Sequence, residues 1–503
     1  LYQVPSLGGP PRERAFDVDS RVSFSPDGKQ VVFMRSFMEK AETRLIVADL
    51  DSGKERTLAT VTNEERLQGA PTWSRDGKRI AAIVMRPAPD LESTIALFDA
   101  VSGDRQDFAK LERTILASLA WLKDGSGLVS TGSDLRTSLG SPQVLLHTYP
   151  DARLLRVTND FYTYGNVSAS SVDDTIAAVR NIRTANLWMA DAAGAPARRI
   201  TSTANPESSP GGGTPVDAQV VVYAAPEDRH VQLWSIHTSK GETRRLTSGE
   251  AHSFAPLSGK GHVFFHRLDA SGFHVWRMDK DGGGARPLTS GAGEQIMNVS
   301  PDGQHVMVTH FDSPMKRSVL AQDGRAVLSV SDATGQPLGF SPDSSSVLIA
   351  RSEKGDDGLR FQLWRVLPLA GGPPTASFRL PPQAAGMRWA PDGRGVTFIN
   401  AADPARNIYR QSFDGGPPSA VTRLTEGRVT SHGWSPDGRK LAVRIQVGDT
   451  SNLWVTEADG SRPLQATQFP HEIFGFEWMP DSKSLVVNAG TSSWDAVLIR
   501  DFR

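Results

Sequence analysis

The chain has 503 residues, 55 Lys and Arg against 56 Asp and Glu, and no cysteine. That length is more than one core usually organises, so two or more domains are expected. The balanced charge argues against a surface given over to nucleic acid or anionic lipid. Without cysteine there is no disulfide and no thiol chemistry, and the chain is indifferent to redox compartment.

The first residues, Leu1-Tyr2-Gln3-Val4 with Gly8-Gly9 behind them, match the later Asn407-Ile408-Tyr409-Arg410 with Gly415-Gly416. They read as a late strand of a repeat, so the numbering is expected to start inside a longer parent. They carry neither the basic nor the apolar region of a signal peptide, and no apolar run in the chain approaches a membrane span.

A phrase then recurs: Phe24-Ser25-Pro26-Asp27-Gly28, Trp73-Ser74-Arg75-Asp76-Gly77 and Trp121-Leu122-Lys123-Asp124-Gly125. After a gap it returns as Val299-Ser300-Pro301-Asp302-Gly303, Phe340-Ser341-Pro342-Asp343 and Trp389-Ala390-Pro391-Asp392-Gly393. Trp434-Ser435-Pro436-Asp437-Gly438 and Trp478-Met479-Pro480-Asp481-Ser482 complete it. Outside the gap the copies lie roughly 41 to 49 residues apart, the period of a four-stranded propeller blade. Pro presets φ for a type I turn, Asp bonds locally and Gly takes the left-handed position that returns the chain. The aromatic ends an innermost strand, and the apolar run after the turn, such as Gln30-Val31-Val32-Phe33, is a strand buried between sheets.

A third strand follows, as in Asn186-Leu187-Trp188, Gln232-Leu233-Trp234 and Asn452-Leu453-Trp454. A fourth often reads Arg-x-Leu-Thr, as at Arg286-Pro287-Leu288-Thr289. Three turn copies have decayed, at 168–174, 211–217 and 255–261, while their flanking strands persist. About eleven repeats exceed one ring, so the prediction is all-β: two consecutive propellers, 1–204 with about four to five blades and incomplete, and 205–503 with about six to seven. The Ser-, Pro- and Gly-rich stretch from Thr201 to Pro215 marks the boundary.

These residues resemble PD40 (WD40-like, TolB-type) propeller repeats along essentially the whole chain. The opening passage to Gly28 and the ending Val497-Leu498-Ile499-Arg500-Asp501-Phe502-Arg503 resemble the extracytoplasmic propeller region of bacterial membrane serine/threonine kinases. The resemblance implies a periplasmic or surface location, tethered by a span outside this chain. Similar arrays also accompany winged-helix regulators and prolyl-oligopeptidase-like or other hydrolases, or form a free periplasmic scaffold like TolB.

Catalytic patterns are not found. There is no Gly-rich loop with a strand lysine and no His-Arg-Asp loop; His266-Arg267-Leu268-Asp269 has the wrong order. No Gly-x-Ser-x-Gly elbow occurs; Gly125-Ser126-Gly127 and Gly490-Thr491-Ser492-Ser493 fall in turns. The histidines from His230 to His310 are spread over three blades without compact ligand spacing, and Asp279-Lys280-Asp281-Gly282 lacks the later Glu of a calcium loop. No metal and no cofactor are expected. Asp27, Asp76, Asp302, Asp392 and Asp437 recur as turn builders, not as a catalytic pair.

The expected function is binding of a protein, peptide or small molecule, without nucleic acid and without chemistry in this chain. The central channel and the loops leading into the innermost strands are the places for it. By register these hold Asp19, Tyr162, Tyr164, His252, Glu294, Arg388, His432 and Glu472. Tyr162 and Tyr164, with Phe161, form either an exposed aromatic edge or a plug at a decayed blade.

Overall fold

The computed structural model describes all residues except 5, 7, 38–41, 63–64, 87–91, 135–141, 161, 202–211, 228–229, 270–271, 292, 311–315, 331–338, 355–359, 382 and 503. The described residues form strands and turns, with no helix among them. Nine four-stranded antiparallel sheets follow one another, each pairing its strands in chain order. The fold is all-β, built of propeller blades. The stretch expected to mark a domain boundary lies, from 202 to 211, outside the described residues.

Each repeated phrase makes the same turn. Ser25 N donates to Gln30 O and Gly28 N to Ser25 O, both at 2.9 Å, while Ser25 Oγ donates to Asp27 Oδ1 at 2.6 Å. Gly28 sits at φ 71°, where a side chain is strained. The serine–aspartate bond recurs at Ser74–Asp76, Ser300–Asp302, Ser341–Asp343 and Ser435–Asp437. The decayed copies still turn between paired strands: 163–169 with 176–181, 213–215 with 221–223, and 252–259 with 262–268.

A threonine at the end of the fourth strand, that of Arg-x-Leu-Thr at 247 and 289, pins this strand to the third. Thr247, Thr289, Thr422 and Thr467 each accept, through Oγ1, the backbone N–H of Leu233, Val275, Ile408 and Leu453. Thr467 then donates to Asn452 Oδ1 at 2.9 Å. A buried N–H is thereby satisfied where the outer strand is too short to do it with backbone alone.

The chain divides into two compact units, Leu1–Ile182 with Ser493–Arg503, and Arg183–Ser492. Two sixteen-residue strands, Ile176–Asp191 and Ser484–Ile499, contribute one part to each.

The first unit holds four sheets. Three are complete, spanning 23–62, 66–112 and 114–156; the fourth pairs Thr163–Ala169 with the first part of Ile176–Asp191, and that with residues from 493 on. Apolar clusters join first to second, second to third and third to fourth sheet. Among the described residues none joins the fourth to the first. The free side of the first sheet carries Leu1, Ala15, Val18 and Val22 over Val31 and Phe33. Tyr2–Gln3 pairs with Arg12–Glu13 as a separate two-stranded ribbon.

The second unit holds seven sheets and closes on itself. Six span 213–245, 252–287, 294–330, 339–379, 384–420 and 428–465. The seventh takes its inner strands from the unit's end, Glu472–Trp478 and residues from 484 on. Its outer strands come from the unit's beginning, residues 183–191 and Arg198–Arg199. Leu187, Met479 and Val486 of this sheet pack on Val221, Tyr223 and Ile236 of the first. On its other face Ala190, Trp478 and Leu485 pack on Ala442, Leu453 and Val455 of the sixth. That arrangement is a seven-bladed propeller whose last blade joins both ends of the unit.

Candidate functional site

Of the eight residues placed by register, Asp19, Tyr162 and Tyr164 belong to the first unit, and His252, Glu294, Arg388, His432 and Glu472 to the second. Asp19 is exposed, and its Oδ2 accepts Ser36 N at 2.7 Å. Tyr164 is buried in the core between the third and fourth sheets of the first unit, its hydroxyl donating to Asp160 Oδ2 at 2.8 Å. Burial, then that bond, pushes the phenol's pKa well up. Tyr162 packs against the same core, with the Arg180 guanidinium 4.9 Å from its ring centre. Phe161, the third member of the suggested aromatic edge, lies outside the described residues.

In the second unit, His252 accepts Val231 N at 3.2 Å and lies 5.1 Å from the His230 ring. Glu294 is buried and paired with His310 Nδ1 at 3.3 Å. Arg388 is exposed in the innermost strand of the fifth sheet, and its charge helps hold down the pKa of the buried His432. Beside Glu472 in the chain, Ile473 O accepts the guanidinium of Arg444, which crosses from sheet six at 2.7 Å. These are local pairs that tie neighbouring strands and sheets.

Three buried histidines are structural partners as well. His266 Nε2 accepts Ile296 N at 2.8 Å across two sheets, His432 shares a 2.9 Å bond with Thr397 and His147 a 2.8 Å bond with Ser130. Burial lowers all three, to about 4 for His147 and His266 and about 3 for His432, so they are neutral in the fold. Asp281 accepts Gly283 N at 3.0 Å inside its own hairpin turn. The turn carboxylates Asp27, Asp76, Asp343 and Asp437 are held below the usual range, first by the serine hydroxyl and then by a backbone N–H.

The feature that register did not reveal is a cleft of about 590 Å³ between the fourth and fifth sheets of the second unit, on the side of the repeated turns. Val366, Ala376, Trp389 and Phe413 form its apolar wall, and Asp343, Asp392 and Asp414 its acidic rim. Its cause is local. Between sheets three and four, Ser344 Oγ accepts Asp302 N at 3.1 Å, and between six and seven Ser482 Oγ accepts Asp437 N at 3.1 Å. Between five and six, Gly438 packs directly on Pro391. At the four–five junction the same position is Gly393, which has no hydroxyl and nothing within 4 Å of where its Cβ would be. The turns stand apart there, and the cleft opens.

In the fifth, sixth and seventh sheets of this unit, the tryptophan that ends the innermost strand reaches back to the preceding sheet. Trp389 Nε1 donates to Gly339 O at 3.2 Å, Trp434 Nε1 to Thr397 Oγ1 at 3.1 Å and Trp478 Nε1 to Gly433 O at 2.9 Å. The bond fixes the Trp389 indole as part of the cleft wall.

No protein-family model matches the chain. It is 27% identical over 180 residues to the uncharacterized peptidase YuxL of Bacillus subtilis, a match covering 35% of this chain and 25% of that protein. It is 36% identical over 84 residues to the Tol-Pal system protein TolB of Anaeromyxobacter dehalogenans, covering 16% of this chain and 18% of that one. The chain thus spans a quarter or less of the length of these curated relatives. Among solved structures, the tricorn protease aligns with 92% of this chain and 46% of its own, at 14% identity and a TM-score of 0.28. Over those 84 residues the chain is similar to TolB, and its repeats build the blades of a β-propeller.

Proposed function

We propose that this chain is a non-catalytic binding module for a protein, peptide or small molecule, working outside the cytoplasm as the sensor region of a membrane serine/threonine kinase. The observation that carries the binding role is the cleft between the fourth and fifth sheets: a concave, part-aromatic, part-polar site on a closed ring. The turn carboxylates and buried histidines already have structural work as hydrogen-bond partners, which supports a scaffold rather than a reaction centre. The kinase and extracytoplasmic parts of the reading rest on the sequence resemblance and on the TolB-like repeats.

A second reading, an accessory propeller of a hydrolase, is favoured by the 180-residue match to a protein named as a peptidase. One experiment separates them. The purified chain is screened by thermal shift against peptide, glycan and metabolite panels, and in parallel for peptidase and esterase turnover. A ligand that raises the melting temperature without turnover supports the binding module; reproducible turnover overturns it. The domain encoded beside this segment, a kinase with a span or a hydrolase, decides the parent.

A further inference from the structure

We propose that the cleft between the fourth and fifth sheets of the Arg183–Ser492 unit receives an organic cation, an ammonium or guanidinium group carried on an apolar stem. The inference rests on the binding-module reading and names the chemistry of its site.

The wall suits such a stem. Trp389 and Phe413 meet edge to face, with ring centres 5.6 Å apart at 89°, and Phe378 backs Phe413 at 5.1 Å. With the indole N–H already bonded to Gly339 O, the aromatic wall is fixed. Aromatic faces attract cations through their quadrupole, and methylene groups pack against the same surface.

The rim suits the charge. Three carboxylates line the cleft, Asp343, Asp392 and Asp414, against one lining cation, Arg394. Arg410 reaches Asp392 at 2.6 Å, so one guanidinium is already seated on one of these carboxylates. Asp343 is bound by the hydroxyls of Ser341 and Ser345, and Asp414 by Gly416 N. Those donors orient both carboxylates without neutralising them, and Asp343 stays ionised well below neutral pH. An incoming cation would find negative charge beside an aromatic surface, whereas an anion would meet repulsion.

The cation could belong to an arginine or lysine of an extended peptide, or to a free polyamine. The test titrates the whole chain by calorimetry with N-acetyl-arginine amide, its citrulline counterpart, spermidine and an alternating Arg-Gly peptide. We expect saturable binding of a cationic probe, at least tenfold weaker for citrulline than for arginine, and weaker still as salt rises. Whichever of peptide or spermidine binds tenfold tighter identifies the source.

Asp414→Asn should weaken binding about tenfold. Gly393→Ser should close the cleft, because serine at the matching positions 344 and 482 bridges to the preceding turn at φ 62° and 57°. That variant should lose binding while still unfolding in one cooperative transition near the wild-type melting temperature, which excludes misfolding as the cause. No cation binding up to 5 mM, or binding undiminished in Gly393→Ser, overturns the proposal. If instead a neutral or anionic ligand stabilises the wild type but not Gly393→Ser, the cation is overturned and the binding module stands. Turnover by the chain would overturn both.

Discussion

One repeat builds both units, yet among the described residues only the second closes as a ring. In the Arg183–Ser492 unit the seventh sheet is assembled from both ends of the segment and is covered on both faces. In the first unit the fourth sheet has a covered face, with Val497 and Ile499 in its core, and an open one, where Trp494 is 66% and Leu498 63% exposed. The first sheet shows the matching sign: Phe24 is 57% exposed, whereas Trp478 at the same motif position is 8% exposed. The motif supplies blades, and closure depends on whether a blade finds a neighbour on each side.

The closure is therefore the place where the largest effect is expected. A Cβ at Gly490 would run into Thr184 O and the Ala185 backbone, the pairing that joins the two ends of the second unit. Gly490→Val should cost about 4 kcal/mol or more, the range of backbone clashes in a packed core. Segment-resolved hydrogen exchange should show loss of protection over residues 183–199 and 484–492 first. Unchanged protection there would mean that closure does not hold the ring together.

The aromatic position gives the next largest contrast. Trp478→Ala removes a buried indole and its bond to Gly433 O, with an expected loss of about 3–5 kcal/mol. Phe24→Ala, on the open first sheet, should cost under about 1 kcal/mol, because little burial is lost. Equal costs in denaturant unfolding would show that Phe24 is covered in solution and that the first unit is closed by something else.

Acid should act more strongly on the ring than on the open unit, since two of the three neutral buried histidines, His266 and His432, belong to the ring and only His147 to the other. Their folded values, about 4, 3 and 4, lie below the unfolded value. The unfolded chain thus takes up protons that the folded chain refuses. Stability is full above about pH 6.5 and declines as pH falls toward 4, by up to about 1.4 kcal/mol per pH unit for each histidine. Replacing His432 by glutamine should flatten the acid limb of the melting temperature for the second unit. A melting temperature independent of pH between 7 and 4.5 would contradict the neutral burial of all three.

Turns, strand order and the aromatic and threonine positions were legible in the sequence because each depends on residues a few places apart. The joining of residues 184–191 to 484–490 was not, because a strand's pattern says which face is buried and not which partner covers its edge. Nor were the bulges of the innermost strands, at Phe254/Leu257, Ile296/Asn298, Ala385/Arg388, Val429/Ser431 and Ile473/Gly475. One unpaired residue re-aims everything beyond it. The cleft was hidden for a different reason: Gly393 is the motif's common residue, and only against Ser344, Ser482 and the Gly438–Pro391 packing does it read as a missing contact.

The smallest expected effect tests whether anything in a blade is indifferent to closure. Thr467 in the ring and Thr158 in the open unit make the same lock, accepting Leu453 N at 2.8 Å and Val144 N at 2.9 Å. Each also donates to its partner amide, Asn452 Oδ1 or Gln143 Oε1, at 2.9 Å. Valine keeps the shape and removes the oxygen, leaving a buried N–H without its acceptor at a cost of about 1–2 kcal/mol. Because both bonds lie within a single sheet, Thr467→Val and Thr158→Val should destabilise their own units alike, within about 0.5 kcal/mol. A clearly larger loss in the ring would mean that the lock helps to seat one blade on the next, and that closure reaches into the blade itself.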